Sequence, residues 1–237
     1  MKITVMSFNV QHCENFRTHV IDYDVMVKAI RDFDADIIGM QEIRGQGTWE
    51  DYEPQAQILA DKLGYYYYFA KAIDVGGVPN PYGNALLSRY PILDAVTIPV
   101  PDPIERLPGK RYYESRCLLK AKIDVGDGLT VCDIHFGLNP DEQKNAADTV
   151  LANVENERCV LMGDFNVRPD NEVLAPIRER LFDTAELFEG ERLSWPSDEP
   201  RVKIDYFFAS KDINVLSADI PAVVASDHRP YVVELEL

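Results

Sequence analysis

The most informative residues in this sequence are polar side chains at the ends of apolar, strand-like runs. In the segment LMGDFNVRPD, which spans 161–170, the apolar run stops at Asp164 and Asn166 follows two residues later. Side chains two apart in an extended strand point the same way, so Asp164 and Asn166 would face one place while Phe165 packs on the opposite side. This arrangement predicts a site at the edge of a β-sheet.

The same pattern occurs at five further strand-like segments. Their polar residues are Asn9, Glu42, His135, Asp205, and Asp227 with His228. A turn, a salt bridge or a buried histidine explains each one alone, but their joint occurrence argues for a shared site. Because the strand ends of an α/β sandwich meet along one rim, we expect these side chains to surround one ligand.

This set of side chains suits phosphate chemistry assisted by a hard metal ion. Glu42 supplies the kind of oxygen ligand that Mg²⁺ prefers, and bound Mg²⁺ commonly bridges to substrate phosphates. The His and Cys residues do not cluster as a zinc site requires. The histidines can transfer protons or stabilise developing charge, and neighbouring carboxylates would raise their basicity.

Strand and helix patterns alternate along the chain, which favours an α/β layered fold over an all-β sandwich or a helix bundle. One helix follows the N-cap candidates Asp22 and Asp24. A second begins at Pro54 and ends before Gly64. A third spans roughly 141–156, and a short fourth carries Pro176 in its first turn. These helices separate the strands that must position the polar residues.

Length and charge limit the class of protein. The 237 residues, 46% of them hydrophobic, predict a single compact domain over 1–237. The net charge of −16, from 24 Lys and Arg against 40 Asp and Glu, repels polyanions and argues against extensive phosphate tracking along DNA. It is compatible with one phosphate held at a bound cation.

Basic residues concentrate around one Pro-rich stretch, 98–110, which we expect to be a long surface loop. They are Arg106, Lys110, Arg111 and Arg116. Two interpretations stay open: a loop that grips an anion, or ordinary solvated charge diluted by Glu105 and Glu114.

The cysteines and the N-terminus indicate where the protein functions. The four cysteines have no CxxC spacing and lie mostly in apolar surroundings, so we expect reduced core thiols. The N-terminal MKITVMSFNV alternates like a strand and lacks the apolar core of a signal peptide. We therefore expect a cytoplasmic protein, or a secreted or periplasmic one if a signal has been removed from the sequence.

Seven motifs occur in the order found in the endonuclease/exonuclease/phosphatase family: SFN, GMQEI, YGNALLSRYPI, DIHF, GDFN, KIDYFFAS and SDHRP. GDFN alone is moderately specific, whereas the ordered set is highly specific. The chain resembles a full-length member from Ile3 onward. The resemblance implies a deoxyribonuclease I-like, four-layer α/β/β/α sandwich of two packed mixed β-sheets flanked by helices. It also implies cleavage of phosphate esters with Mg²⁺, or with Mn²⁺ in its place.

The resemblance implies roles for matching residues. Glu42 resembles the principal magnesium ligand of the family, and Asn9 and Asp227 would help to hold the metal or its waters. Asp164 and Asn166 match the pair that orients the attacking water and the scissile phosphate.

The two histidines complete the implied machinery. His228 matches the histidine that acts on the phosphate, with Asp205 as its orienting carboxylate. His135 would stabilise the anion or donate a proton, supported by Glu114 and Arg116 of the YYESR segment. A histidine in DIHF is typical of deoxyribonuclease-like and phosphatase-like members, whereas apurinic-site endonucleases generally lack it.

Three further residues are candidates for substrate binding: Asn84, Arg111 and Arg168. Arg168 completes a GDxNxR pattern that resembles the inositol-polyphosphate phosphatases, but their PAWCDR segment is replaced here by RVKIDYFF. Trp195 precedes the KIDYFF strand, where a loop could border the site.

Three functional hypotheses follow. The first is a metal-dependent hydrolase acting on a phosphodiester or phosphomonoester, preferably a small or lipid-derived substrate, and working as a monomer. The second is a deoxyribonuclease-like endonuclease or exonuclease acting on DNA or RNA, for which nicking of plasmid DNA is the test. The third is an inactive binding module, which the intact set of polar residues disfavours.

Overall fold

The computed structural model describes residues 1–109 and 112–237 and contains two six-stranded β-sheets packed face to face. Arg111 lies outside the described residues.

The helices are α1 (Tyr23–Asp32), α2 (Gln55–Leu63), α3 (Pro140–Asn153) and α4 (Ala175–Arg180). The first seven strands are β1 (Lys2–Asn9), β2 (Glu14–Asn15), β3 (Val20–Ile21), β4 (Ile37–Arg44), β5 (Tyr66–Asp74), β6 (Pro81–Ser88) and β7 (Ile92–Pro99). The other seven are β8 (Cys117–Ile123), β9 (Leu129–His135), β10 (Cys159–Asp164), β11 (Phe182–Asp183), β12 (Asp205–Ala209), β13 (Asn214–Asp219) and β14 (Tyr231–Glu236).

Both large sheets are mixed. The first has the order β13-β14-β1-β4-β6-β5, and the second has the order β11-β12-β10-β9-β8-β7. In the first sheet β1 and β4 are parallel, and in the second β9 and β10 are parallel, while the other pairs are antiparallel. The predicted fold class, a four-layer sandwich, is confirmed.

The core has three layers of apolar contacts because each sheet is covered on both faces. Between the sheets, Val5 and Leu86 of the first sheet belong to one buried cluster with Leu119 and Val160 of the second. Helices α1 and α2 cover the outer face of the first sheet, and α3 and α4 cover that of the second. Central strands buried on both faces are rigid supports for residues at their ends.

Local sequence signals determine where the helices begin and end. The Asp22 side chain accepts hydrogen bonds from the backbone N–H groups of Asp24 and Val25, so Asp22 is the N-cap of α1. Helix α2 ends at Gly64, whose φ of +74° is favourable only for a residue without a Cβ. A capping box between Asn139 and Glu142 begins α3.

The strand ends differ from the expected pattern in one respect. Asp205 is the first residue of β12, and His228 precedes β14, so these polar groups begin their strands and do not end them. Strands β12 and β14 run antiparallel to β10 and β1, respectively. Their starts therefore lie at the same rim as the ends of β1, β9 and β10, where the sequence predicts a site.

In the described parts of the chain, 1–109 and 112–237, none of the helices has the length and apolar character needed to cross a bilayer.

Candidate active site

A cavity of about 470 Å³ opens at this rim of the sandwich. Seven residues predicted from the sequence line it: Glu42, Arg116, His135, Asp164, Asn166, Arg168 and His228. Its volume falls in the range of small-molecule sites. The rim thus brings residues from both sheets to one concave surface.

Strand register places three of these groups side by side. In the second sheet Asp164 pairs with His135 of the parallel strand β9 and with Asp205 of the antiparallel strand β12. Gly163, immediately before Asp164, has a φ of +147°, and an added Cβ would lie 1.8 Å from the carbonyl oxygen of Ile134. Only glycine permits this close approach of β10 to β9.

The Oδ2 atom of Asp164 contacts side chains that come from both sheets. It accepts a hydrogen bond from Asn9 Nδ2 at 3.2 Å. It also lies 3.4 Å from His135 Nε2 and 3.6 Å from His228 Nε2. The side chain is 2% exposed, so these contacts replace water around the carboxylate.

Glu42 reaches the cavity because β4 is irregular at that position. The register between β4 and β6 shifts between Met40 and Ile43, and Glu42 has a φ of +62°. Such bulges re-aim side chains near functional sites. Its Oε1 accepts from Asn9 Nδ2 at 3.0 Å and its Oε2 accepts from the Tyr82 hydroxyl at 2.8 Å.

Asn166 has a left-handed backbone conformation, not the extended one that the two-residue spacing suggests. Its φ is +51°, and its backbone N–H donates to Asp164 Oδ1 at 2.9 Å. Its Nδ2 donates to the carbonyl oxygen of Phe136 at 3.1 Å. Phe165 packs in the opposite direction, stacked at 4.3 Å on Phe136, as the sequence predicts.

His228 and Asp205 form a buried pair. His228 Nδ1 lies 2.9 Å from Asp205 Oδ2, and both side chains are almost fully buried. Burial disfavours the imidazolium, but the Asp205 and Asp164 carboxylates outweigh burial and raise the pKa of His228 above its ordinary value. Burial in turn raises the pKa of Asp164, with the Asp205 and Glu42 carboxylates adding to this effect.

His135 lies in a different electrostatic environment. Arg116 Nη1 is 3.2 Å from its Nδ1, and the same guanidinium nitrogen is 2.6 Å from Glu114 Oε1. Burial, the Arg116 charge and His228 hold the pKa of His135 well below its ordinary value. The two histidines of the site therefore differ in charge at neutral pH.

The donor set fits a hard divalent cation. Burial raises the pKa of both Asp164 and Asp227, and the Glu42 carboxylate adds to this effect, although the charge of His228 opposes it. Within the described residues, ligand atoms of Asp164, Asp205 and His228 all lie within 4.8 Å of one another. Oxygen atoms dominate the cluster, which suits Mg²⁺ or Mn²⁺ better than zinc.

Two predicted metal-site residues lie at the edge of the cluster. Asn9 is fully buried and bridges Glu42 and Asp164 through its Nδ2. Asp227 accepts hydrogen bonds from the Trp195 indole N–H and the Ser226 hydroxyl, both at 3.2 Å. The Trp195 ring is thereby fixed at the mouth of the cavity.

Asn84 is not brought to the cavity. It is buried between the sheets, where its Nδ2 donates to the backbone carbonyls of Cys117 and Asp133, so its polar group stabilises the sandwich. Sequence reasoning missed Tyr82 as a partner of Glu42, although Tyr82 opens the YGNALLS motif. It also missed the apolar wall of Leu138, Val202 and Ile204.

Comparisons with known proteins agree with this fold. The sequence matches the profile of the endonuclease/exonuclease/phosphatase family over residues 6–228. No curated protein matches the chain. An endonuclease/exonuclease/phosphatase from Beutenbergia cavernae superposes with a TM-score of 0.80 at 24% identity, covering 100% of this chain and 72% of that chain.

Two further solved structures are similar in fold. A mannosyl-6-phosphatase from Bacteroides thetaiotaomicron superposes with a TM-score of 0.77 at 18% identity, covering 99% of this chain and 100% of that chain. The catalytic domain of human Nocturnin has a TM-score of 0.71 at 18% identity, covering 99% and 93% of the two chains.

Proposed function

This chain belongs to the endonuclease/exonuclease/phosphatase family, and we propose that it is a metal-dependent hydrolase of small phosphoesters. The observation that carries the proposal is the convergence on Asp164 Oδ2 of Asn9 from one sheet and of two imidazoles with different pKa shifts. Such a set can bind a phosphate, orient a water molecule and move a proton within one cavity.

Glu42, with Asn9 and Asp227, would hold the metal ion, for which Mg²⁺ is the natural candidate and Mn²⁺ the alternative. When bound, the ion would offset the negative charge on the phosphate oxygens as the phosphorus is attacked. The Tyr82 hydroxyl and the Asn9 amide fix the Glu42 carboxylate in the required orientation.

Asp164 and Asn166 would act on the attacking water. The buried Asp164 carboxylate has a raised pKa, so it is a competent acceptor for the proton that the water loses. The backbone N–H of Asn166 holds the Asp164 Oδ1 atom, which leaves Oδ2 facing the reacting groups. The Asn166 amide would contact the scissile phosphate.

His228 would bind the phosphate as a cation. Its Nδ1 is paired with Asp205, so Nε2 is the atom left to donate a hydrogen bond to a phosphate oxygen. The raised pKa keeps the imidazolium charged at neutral pH. Asp205 therefore orients the ring and stabilises its charge.

A small or lipid-derived substrate is favoured over a nucleic acid. The net charge is −16, and Arg116 of the predicted basic neighbourhood is tied to Glu114 inside the site. Arg168 is exposed and lines the cavity, as does the apolar wall of Leu138, Val202 and Ile204. One cation and one apolar wall suit a compact ester better than an extended polyanion.

A substrate panel tests this proposal. Purified protein with Mg²⁺ is given aryl phosphomonoesters and phosphodiesters, sugar phosphates, lipid headgroup phosphoesters and supercoiled plasmid DNA, with EDTA and His228→Asn as controls. We expect release of product from a small ester that both controls abolish. Efficient plasmid nicking, lost in both controls, would instead establish the nuclease alternative, and turnover that survives EDTA would overturn metal dependence.

A further inference from the structure

The cavity has an apolar part that the proposed chemistry does not use. Among the described residues that line it, four are apolar: Leu138, Trp195, Val202 and Ile204. Leu138 is 37% exposed and Trp195 is 40% exposed, while the other two are half-buried. Single exposed apolar side chains are ordinary, but several that line one concave surface are typical of a ligand-binding site.

Backbone geometry turns three of these side chains toward the cavity. Trp195 and Val202 form an antiparallel β-bridge, so their side chains lie on the same face. Ile204 follows Val202 by two residues and shares that face, because side chains alternate along extended backbone. Lys203, between them, points the other way and is buried against the Tyr206 ring, with its Nζ 3.3 Å from the ring centroid.

These apolar residues directly adjoin the reacting groups. The carbonyl oxygen of Ile204 accepts a hydrogen bond at 2.9 Å from the backbone N–H of Phe165, the residue that follows Asp164. The Trp195 indole N–H donates to Asp227 Oδ2 at 3.2 Å. An ester with its phosphorus beside Asp164 would therefore have its alcohol part close to the apolar side chains.

Hydrogen bonds hold this part of the cavity in place. The Ser194 hydroxyl accepts from the backbone N–H groups of Ile204 and Asp205, at 3.2 and 3.3 Å. The backbone N–H of Ser197 donates to the carbonyl oxygen of Asp227 at 2.7 Å. A surface that is already fixed before the ligand arrives loses little conformational entropy on binding.

The chemistry of this surface distinguishes between kinds of alcohol. Leu, Val and Ile side chains have no hydrogen-bonding atoms, and the one polar atom of the Trp195 ring already donates to Asp227. The hydroxyl groups of a sugar or another polyol would lose hydrogen bonds to water at this surface without gaining others, which is unfavourable. An alkyl or aryl group, in contrast, is stabilised when it leaves water at the same place.

We propose that Trp195 and the apolar wall of Leu138, Val202 and Ile204 form a subsite for the alcohol part of the substrate, so that phosphoesters of apolar alcohols, alkyl or aryl, are preferred to those of sugars. This inference rests on the proposed function and specifies its substrate class. In the hydrolysis the water oxygen bonds to phosphorus and the bond from phosphorus to the alcohol oxygen breaks. A proton takes the place of phosphorus on that oxygen, and the free apolar alcohol leaves.

A series of esters tests the subsite. Ethyl, butyl, hexyl and benzyl phosphate, and the matching methyl phosphodiesters, have leaving alcohols of nearly equal pKa, so differences in kcat/KM with Mg²⁺ report binding of the apolar group. We expect kcat/KM to rise about two- to fourfold per methylene, and both hexyl and benzyl phosphate to exceed glucose 6-phosphate. The ratio of hexyl to benzyl ester distinguishes a chain from a ring. Equal kcat/KM for ethyl and hexyl esters, or a preference for glucose 6-phosphate, would overturn the proposal.

Leu138→Asn removes apolar surface while nearly keeping the size of the side chain. Leu93→Asn is the matched control, because Leu93 is 58% exposed on β7 and does not line the cavity. We expect the ratio of kcat/KM for hexyl over ethyl phosphate to fall about three- to tenfold in Leu138→Asn and to stay unchanged in Leu93→Asn. A ratio in Leu138→Asn equal to that of wild type would contradict the proposal.

Two variants of Trp195 separate its ring from its contact with Asp227. Trp195→Phe keeps an apolar ring but loses the N–H group, so the hexyl to ethyl ratio should stay within about threefold of wild type. Trp195→Ala loses both, and the ratio should fall about tenfold. If both variants lower kcat/KM equally for hexyl and ethyl phosphate, Trp195 acts only through Asp227 and the proposed role of its ring is wrong.

Binding without turnover distinguishes failure of the subsite from failure of the proposed function. The chain has two tryptophans, so the tryptophan fluorescence of Trp49→Phe comes from Trp195 alone. With Mg²⁺ present, hexylphosphonate, which is not hydrolysed, should bind at least about tenfold tighter than ethylphosphonate in calorimetry and shift the Trp195 emission to shorter wavelength. If it does so but no phosphoester is hydrolysed, the proposed function fails and the subsite stands. If esters are hydrolysed but hexylphosphonate binds no tighter than ethylphosphonate, or leaves the Trp195 emission unchanged, the subsite fails and the proposed function stands.

Discussion

At the scale of single residues, Tyr82 is the contact that gives Glu42 its orientation. The Tyr82 hydroxyl donates to Glu42 Oε2 at 2.8 Å, while Asn9 holds Oε1. Groups that orient a metal ligand commonly change metal affinity by about 10–100-fold when they are removed. We therefore expect Tyr82 to strengthen metal binding, although the negative charge comes from Glu42.

Tyr82→Phe should weaken binding of the divalent ion by about tenfold or more, because Glu42 loses a fixed partner but keeps its charge. Calorimetric titration with Mn²⁺ or Mg²⁺ measures the affinity. Tyr67→Phe is a matched control, since Tyr67 is exposed on the edge strand β5. Equal metal affinities for Tyr82→Phe and wild type would argue against Glu42 as the principal ligand.

At the scale of elements, the two sheets are joined behind the site by a buried polar pair. Gln41 Nε2 donates to Asp133 Oδ1 at 2.5 Å, and within the part of the chain that the structure describes Gln41 Oε1 and Asp133 Oδ2 have no hydrogen-bond partner. Burial raises the pKa of Asp133 to about 8, although the Gln41 hydrogen bond opposes this. A neutral Asp133 could use its hydroxyl to donate to Gln41 Oε1, which would satisfy both remaining oxygens.

This pair predicts a pH dependence of stability. The native state keeps the Asp133 proton up to about pH 8, whereas an unfolded Asp loses it near pH 4, so the contribution of this proton to stability falls as pH rises between those values. The fall is about 1.4 kcal/mol per pH unit. Asp133→Asn, which keeps the shape of the neutral pair, should remove that dependence.

Urea unfolding of wild type and Asp133→Asn at several pH values checks this. We expect the stability of Asp133→Asn relative to wild type to increase from pH 5 to pH 8, by up to about 1.4 kcal/mol per unit. Asp94→Asn, at an exposed position on β7, controls for loss of one acidic group. A stability difference that stays constant with pH would mean that Asp133 is ionised in the native protein.

The N-cap of α1 gives a second prediction for an element. Asp22 accepts two backbone hydrogen bonds and one from the Asn15 side chain. Asp22→Ala should lower the free energy of unfolding by about 1 kcal/mol. Asp24→Ala is the control, because Asp24 lies in the first turn of α1 and caps nothing. Equal losses in both variants would contradict the capping role and leave only a charge effect.

At the scale of the whole molecule, the net charge of −16 favours a small ester over a nucleic acid as the substrate, because it repels polyanions. Added salt shortens the Debye length from about 30 Å at 0.01 M to about 8 Å at 0.15 M, which screens repulsion between the protein and an anionic substrate. We therefore expect kcat/KM for a small anionic ester to rise with salt at constant free Mg²⁺. A nucleic-acid enzyme that depends on phosphate contacts would show the opposite trend.

How far the sequence predicts this molecule depends on the kind of signal. The α/β fold, Asp22 as N-cap and the end of α2 at Gly64 follow from local patterns, because capping and periodicity are properties of neighbouring residues. The bulge that turns Glu42 into the cavity and the burial of Asn84 between the sheets depend on strand register. Strand register is set by pairing between segments that are distant in the chain, and a single sequence does not reveal that pairing.

The central claim is that Asp164, at the junction of the two sheets, serves a metal-dependent hydrolysis of phosphoesters. The measurement that tests it most directly is steady-state hydrolysis of the best small ester from the substrate panel by wild type, Asp164→Asn and the control Asp94→Asn, over a titration of Mg²⁺. We predict Mg²⁺-dependent turnover that falls about 10²–10⁴-fold in Asp164→Asn and is unchanged in Asp94→Asn. Turnover in folded Asp164→Asn equal to that of wild type, or turnover that needs no divalent ion, would contradict this account.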